Sequence, residues 1–387
     1  MAYDSVLHYI DGFWPKLLRS NPADKETLIG LPHPYFVPAP TDGRMFQEMY
    51  YWDSYFIALG LVDTPYAEHI VGMAENMAYL FDRFGIIPNG SRYYFLSRSQ
   101  PPFFMALVKL AYDTVRHDDA WLAKMLDVAV REHHKVWLGT QQPHFRQVYR
   151  GLSRYYDINA LDILASCECG WDHSTRCDDR WLDHVPVDLN CILYDREMDY
   201  ATFYELLGSK DEAAAWRAKA EERRQTIQEL MWSEADGYYF DYDYKHQHQT
   251  PSASLAGFFA LWAGAATPEQ AARMVKHWLP KFEYPGGLVT TLESKAGRQW
   301  AFPNGWAPLQ WIVTEGLDRY GFSEHARRIR RAWCDNVAQV FEQTGRLWEK
   351  YNVVEPFREA EEGLYGQVPG FGWTNAIFVD FTKKLAS

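Results

Sequence analysis

Long segments of helical period alternate along this chain with loops rich in glycine, proline and aromatic residues, and strand signals are sparse. The spacing predicts helices over 103–116, 120–137, 189–207, 210–231, 269–279, 308–320 and 323–341. In the fourth of these, Ala213, Ala214, Ala215, Ala218 and Ala220 supply helix propensity, and Ser209 stands where an N-cap would. Short strand-like pieces fall at 237–244 and 287–291. No Gly/Ser-rich linker, charge block or shift of composition marks a boundary, and no sequence repeat of 20 to 50 residues is present. Helix–loop–helix spacing that recurs without a break is satisfied by paired helices around an axis. Such an α/α barrel, all-α and covering 1–387 as one domain, gathers its connecting loops at one end to form a pocket.

With 387 residues and 47% hydrophobic content, the chain has ample core for such a ring. Aromatic residues reach 16%, more than ordinary aliphatic packing requires, so some of these rings are expected to line a cleft. The formal charge of −12 opposes binding to nucleic acid or an anionic membrane and leaves neutral small ligands unaffected. Five cysteines, at 167, 169, 177, 191 and 334, show no disulfide spacing and are expected to be reduced, partly buried thiols. The Cys-x-Cys of Cys167 and Cys169 has no second pair, which makes it a weak metal signal. The first ten residues lack the pattern of a secretory signal, and no run of about 18 apolar residues exists to span a bilayer. A cytoplasmic location is the expectation.

Three segments set a carboxylate beside or within a cluster of aromatic rings: residues 42–53, ending in Tyr-Tyr-Trp-Asp; Glu168-Cys-Gly-Trp-Asp172; and Leu347-Trp-Glu-Lys-Tyr351. A pyranose offers an apolar face to stack on and a rim of hydroxyls to bond. Glycosidic cleavage needs one carboxylic acid and one carboxylate across the bond. The combination reads as a glycosidase.

Five stretches resemble the trehalases of glycoside hydrolase family 37. They are Gly-Arg-Met-Phe-Gln-Glu-Met-Tyr-Tyr-Trp-Asp at 43–53; Ile-Pro-Asn-Gly at 87–90, running to Ser-Arg-Ser-Gln-Pro-Pro at 97–102; Cys-Gly-Trp-Asp at 169–172; Gln-Trp-Ala-Phe-Pro-Asn-Gly-Trp-Ala-Pro at 299–308; and Glu-Lys-Tyr at 349–351 with Gly-Phe-Gly-Trp-Thr-Asn at 370–375. They occur in the family's order over most of the chain. The resemblance implies an (α/α)6 toroid, a small sugar substrate, hydrolysis with inversion, and no metal or organic cofactor. Residue by residue, it implies Asp172 as general acid and Glu349 as general base, with Phe46, Trp52, Asp53, Asn89, Arg98, Gln100, Gly170, Trp300 and Trp306 around the sugar. The setting of Asp172 among Cys169, Gly170 and Trp171 points to an apolar pocket that would keep it protonated.

Each residue also has a plainer reading. Asp172 or Asp53 could cap a helix, and Glu349 could be a surface partner of Lys350. Trp300, Trp306 and Trp373 could be core. His133, His134, His246 and His248 fit no ligand spacing and are expected at the surface.

The departures bear on the substrate. Ala301 stands where the family has Asp, Arg44 and Met45 displace the usual arginine before Phe46, and the Arg-Pro-Glu expected after 152–157 is missing. A loop glutamate has no counterpart near Leu364, with Glu359, Glu361 and Glu362 close enough to replace it. Trehalose hydrolysis is one reading. An inverting α-glucosidase acting on another small α-glucoside is a second, and a non-hydrolytic sugar isomerase or binding toroid a third.

Overall fold

The computed structural model describes residues 3–40, 46–172, 174–358, 360 and 366–386. Twelve helices among them form six hairpins: α1 (Asp4–Asp11), α2 (Tyr51–Leu61), α3 (Glu68–Phe84), α4 (Phe104–Ala111), α5 (Asp119–Glu132), α6 (Val187–Leu206), α7 (Lys210–Met231), α8 (Phe259–Trp262), α9 (Pro268–His277), α10 (Ala307–Arg319), α11 (Ser323–Thr344) and α12 (Gly372–Ala386). The even-numbered helices touch in the order α2, α4, α6, α8, α10, α12 and back to α2, which closes an inner ring. The odd-numbered helices pack outside it, α1 joining α12 to complete the sixth pair. This is an (α/α)6 toroid.

The two rings differ because their sequences differ. The segment Tyr-Trp-Asp-Ser-Tyr-Phe-Ile-Ala-Leu-Gly-Leu of α2 has no polar face, and nearly all of it is buried. By contrast α7 and α11 show solvent a charged side and bury one stripe, as an outer helix must. The inner helices pack closely: a Cβ at Gly60 of α2 would lie 2.4 Å from Ala376 Cα of α12. Local signals set several ends. Thr267 and Gln270 form a capping box at the start of α9, and Asp118 accepts from Ala120 and Trp121 to cap α5. Ser209 precedes α7 but makes no side-chain cap bond, so the expected cap is only positional.

Strands are short and lie in the loops. A three-stranded sheet joins 184–185, 242–243 and 248–249, and 287–288 forms a pair with 283–284, matching the strand-like pieces in the sequence. The pair that matters for the site is antiparallel, with Trp306 opposite Lys350 and Asn304 opposite Asn352. One histidine expectation fails: His133 is buried and bonds Glu197 at 3.1 Å, because α5 turns that side against α6. His134, His246 and His248 are exposed as expected.

Candidate active site

The inner helices present their N-terminal ends to one face of the ring, and the motif loops enter them there. Asp53 lies in the first turn of α2, Trp306 directly precedes α10, and Trp373 lies in the first turn of α12. The floor is a stack of indoles. Trp300 lies on Trp306 with ring centres 3.7 Å apart and planes 5° from parallel, and Trp171 stacks on Trp300 at 5.9 Å. Trp52 tilts against Trp300, and Trp373 meets Trp52, Trp300 and Trp306 edge-on. Quadrupolar ring edges and faces are thereby matched, and the assembly is stiff.

Asp172 is held by the loop that leaves this floor. Gly170 has φ +75°, and a Cβ there would sit 2.8 Å from the Trp52 indole, so glycine is needed on both counts. Ser174 bridges to Trp300. Further on, the buried Arg176 guanidinium bonds Asp188 (2.7 and 3.1 Å) and Asp241 (2.7 and 3.0 Å) while lying between the rings of Trp171 and Trp181. No sequence argument singled out Arg176; the available signal was a cation four residues past Asp172 in a tryptophan-rich loop.

Glu349 immediately precedes the strand Lys350–Asn352, whose first residue pairs with Trp306. Its backbone N–H donates to Val368 (3.0 Å) and its carbonyl accepts from the Trp373 indole (3.1 Å), which fixes the residue on both sides. The Glu349 side chain is buried, not at the surface, and its Oε2 lies 3.7 Å from Lys350 Nζ.

Asp172 keeps a solvent-facing edge, yet burial is the main influence on it and pushes its carboxyl up to about 6; Arg98 and a hydrogen bond with Cys167 offset this only in part. Asp53 is held well above the usual carboxylate range by burial, with the Glu349 and Asp172 charges adding to it. The three carboxyls therefore share one electrostatic environment, although 177 positions separate Asp172 from Glu349 in sequence. Burial also raises the Cys167 thiol to about 12. All five cysteines are free.

The other expected residues divide by what their side chains do. Arg98 lies over Phe95 and reaches Asp157 at 3.4 Å, with Nε buried and without a hydrogen-bond partner among the described residues. Phe46 is half-buried and meets Tyr50 and Phe371 edge-on. Asn89 donates to the Ser99 and Cys167 carbonyls, and Gln100 accepts from the Trp52 backbone N–H. Both therefore tie the loops together. Trp306, expected as a ring wall, is 0% exposed, because Trp300 covers its face. Ala301 is equally enclosed and sends no polar group into the site. Arg44, Met45, His173, Glu359, Glu361, Glu362 and Leu364 lie outside the described residues.

Carboxyls set over stacked indoles at the open end of such a ring are the working parts of a glycoside hydrolase, and this chain is one. Comparison with known proteins narrows the class. The sequence profile of the Trehalase family matches residues 2–168 and 165–386, and the chain belongs to that family. It is 33% identical to the periplasmic trehalase of Escherichia coli O1:K1 / APEC over 423 aligned residues, covering 96% of this chain and 73% of that protein. The periplasmic trehalase of Salmonella newport is 33% identical over 97% of this chain and 73% of its own length. Among solved structures, neutral trehalase Nth1 from Saccharomyces cerevisiae superposes with a TM-score of 0.79 at 30% identity, covering 97% of this chain and 79% of that one. A mannosylglycerate hydrolase from Thermus thermophilus shares the fold at 20% identity, with a TM-score of 0.69 over 97% of this chain and 99% of the other. The expected cytoplasmic location does not stand, since these curated relatives are periplasmic proteins. Compartment is read by the export machinery from a transport signal and leaves no imprint on the packing of the folded ring.

Proposed function

We propose that this protein hydrolyses α,α-trehalose to two glucoses with inversion, Asp172 acting as general acid and Glu349 as general base. The observation that carries the reading is the gathering of Asp172, Glu349 and Asp53 at one stack of indoles, with burial pushing the Asp172 carboxyl up to about 6, in the direction a proton donor to a leaving oxygen needs. Glu349, anchored through its backbone between Val368 and Trp373, would activate water on the opposite face of the sugar. Trp52 and Asp53 would receive the cleaved glucose, and Arg98 supplies donors at the acid's side of the pocket. The names of the curated relatives support both trehalose as substrate and a periplasmic location.

An NMR time course with trehalose and a panel of other α-glucosides tests this. Equal amounts of β-glucose, from the inverted sugar, and α-glucose, from the leaving sugar, are expected as the first products, with trehalose the preferred member. Release of α-glucose alone, with no initial β-glucose, would overturn inversion, and faster turnover of another α-glucoside would overturn the substrate. Fractionation of cells expressing the protein tests the location.

A further inference from the structure

We propose that Lys350 is a positioning residue for the reaction, its buried ammonium keeping Glu349 ionised and oriented, with Gln299 fixing the ammonium in place. The inference rests on Glu349 being the base.

Lys350 is 1% exposed, an unusual setting for a lysine without a task. Its Nζ lies 3.7 Å from Glu349 Oε2, 3.1 Å from Gln299 Oε1, and 5.3 Å from the centre of the Trp306 ring. Trp306 is itself clamped beneath Trp300, so this face of the lysine cannot shift without breaking the stack. An ammonium has no acceptor, so the Gln299 amide must turn its oxygen toward it. That orientation leaves Gln299 Nε2 buried without a hydrogen-bond partner among the described residues. A fully buried, unsatisfied donor costs stability, and such exceptions call for a reason. The reason supplied by the geometry is retention of the ammonium beside Glu349.

The crowding of carboxyls in the site gives this a purpose. Asp53, on α2, and Asp172, on the loop across the floor, put two further carboxyls into the same pocket, and either of them, when ionised, favours the protonated form of its neighbours. Arg98 faces Asp172. A protonated Glu349 could not take a proton from water. Among the described residues, Lys350 sets a cation 3.7 Å from Glu349, and opposite charge at this range lowers a carboxyl by roughly 1–3 pH units.

The test is the pH profile of kcat/KM for trehalose in Lys350→Met, Lys350→Arg and Gln299→Leu. In Lys350→Met the acidic limb is expected to move up by about 1–3 pH units, with kcat reduced at low pH and KM little changed. Lys350→Arg should restore most of the wild-type limb, and Gln299→Leu should shift it in the same direction by less. If Lys350→Met fails to fold, Gln299→Leu decides. An acidic limb that stays at the wild-type position in the folded variants, with activity falling only in proportion to the folded fraction, overturns the proposal. Glu349→Gln separates the two readings: wild-type turnover by that variant removes the base assignment itself, whereas an inactive Glu349→Gln beside unshifted Lys350 and Gln299 variants removes only the role of Lys350.

Discussion

Two acidic residues of this toroid, Glu197 buried and Asp172 partly so, are treated in opposite ways. Glu197, on α6 where the inner ring meets α5 and α7, accepts from Arg223 at 2.8 and 3.0 Å and bonds His133 at 3.1 Å. Burial alone would raise its carboxyl, but Arg223 and His133 more than reverse that and hold it at about 2. Asp172, at the open end, is opposed only in part by the Arg98 charge and one thiol, and remains at about 6. A joint between helices needs a charge whose every lone pair is answered, because an unanswered one would favour unfolding. A proton donor needs the reverse. The difference separates structural from chemical carboxyls within one fold.

The largest test of that contrast is catalytic. Asp172→Asn and Glu349→Gln are each expected to lower kcat by ~10²–10⁴, the usual worth of a positioned proton-transfer group. Asp172→Asn should do so without lowering the melting temperature; near-wild-type turnover in a folded variant would remove that residue from its role. Glu197→Gln should behave in the opposite manner. Breaking a buried, hydrogen-bonded pair is expected to destabilise by about 3–5 kcal/mol in urea unfolding, with kcat per folded molecule unchanged. A large fall in kcat at unchanged stability would erase the distinction.

The pH dependence sharpens it with smaller effects. With its carboxyl near 6, Asp172 should lose its proton as pH rises through that value, placing the basic limb of the kcat/KM profile near pH 6. A basic limb unchanged in a trace-active Asp172 variant would contradict the assignment. Stability should respond with opposite signs at the two sites. The folded pKa of Asp172 lies above the ordinary aspartate value, so the native state holds the extra proton and stability falls as pH rises from about 4 through 6. The folded pKa of Glu197 is depressed, so its contribution is present above about 4.5 and lost as pH falls toward 2. Urea unfolding of wild type and Asp172→Asn at pH 4 and 7.5 should therefore show the variant gaining relative stability at the higher pH. An equal difference at both values would count against a raised Asp172.

We also propose that the six hairpins unfold as one unit, because the inner ring closes α12 onto α2 and ties the chain's two ends together. One cooperative thermal transition is the expected outcome. A half-length proteolytic fragment that folds alone would break this proposal.

Much of both rings was legible from periodicity. The predicted 210–231 coincides with α7, and 103–116 and 120–137 match α4 and α5 once their terminal π-turns at 112–116 and 133–137 are included. The inner helices α2 and α8 gave a weaker signal, because a helix buried on all sides has no polar face to set a period. In the site, the motifs pointed to Asp172, Glu349, Asp53 and Trp52, whose residue types are dictated by the chemistry. They did not separate Arg98, whose guanidinium faces Asp172, from Asn89 and Gln100, whose side chains tie loops together, because all three are polar residues in the same pair of motifs.

The sequence by itself determined the helical pairing, the supply of aromatic rings and the carboxyls available for proton transfer, because these follow from residue types and their local spacing. Only the tertiary structure decided which carboxyl is answered by a cation and which is left to hold a proton. It also decided which tryptophan covers another, and that a lysine adjacent to Glu349 in the chain turns back onto it inside the core. Burial and charge proximity are properties of groups brought together from across the ring, and they fix a carboxyl's protonation more strongly than its neighbours in sequence do.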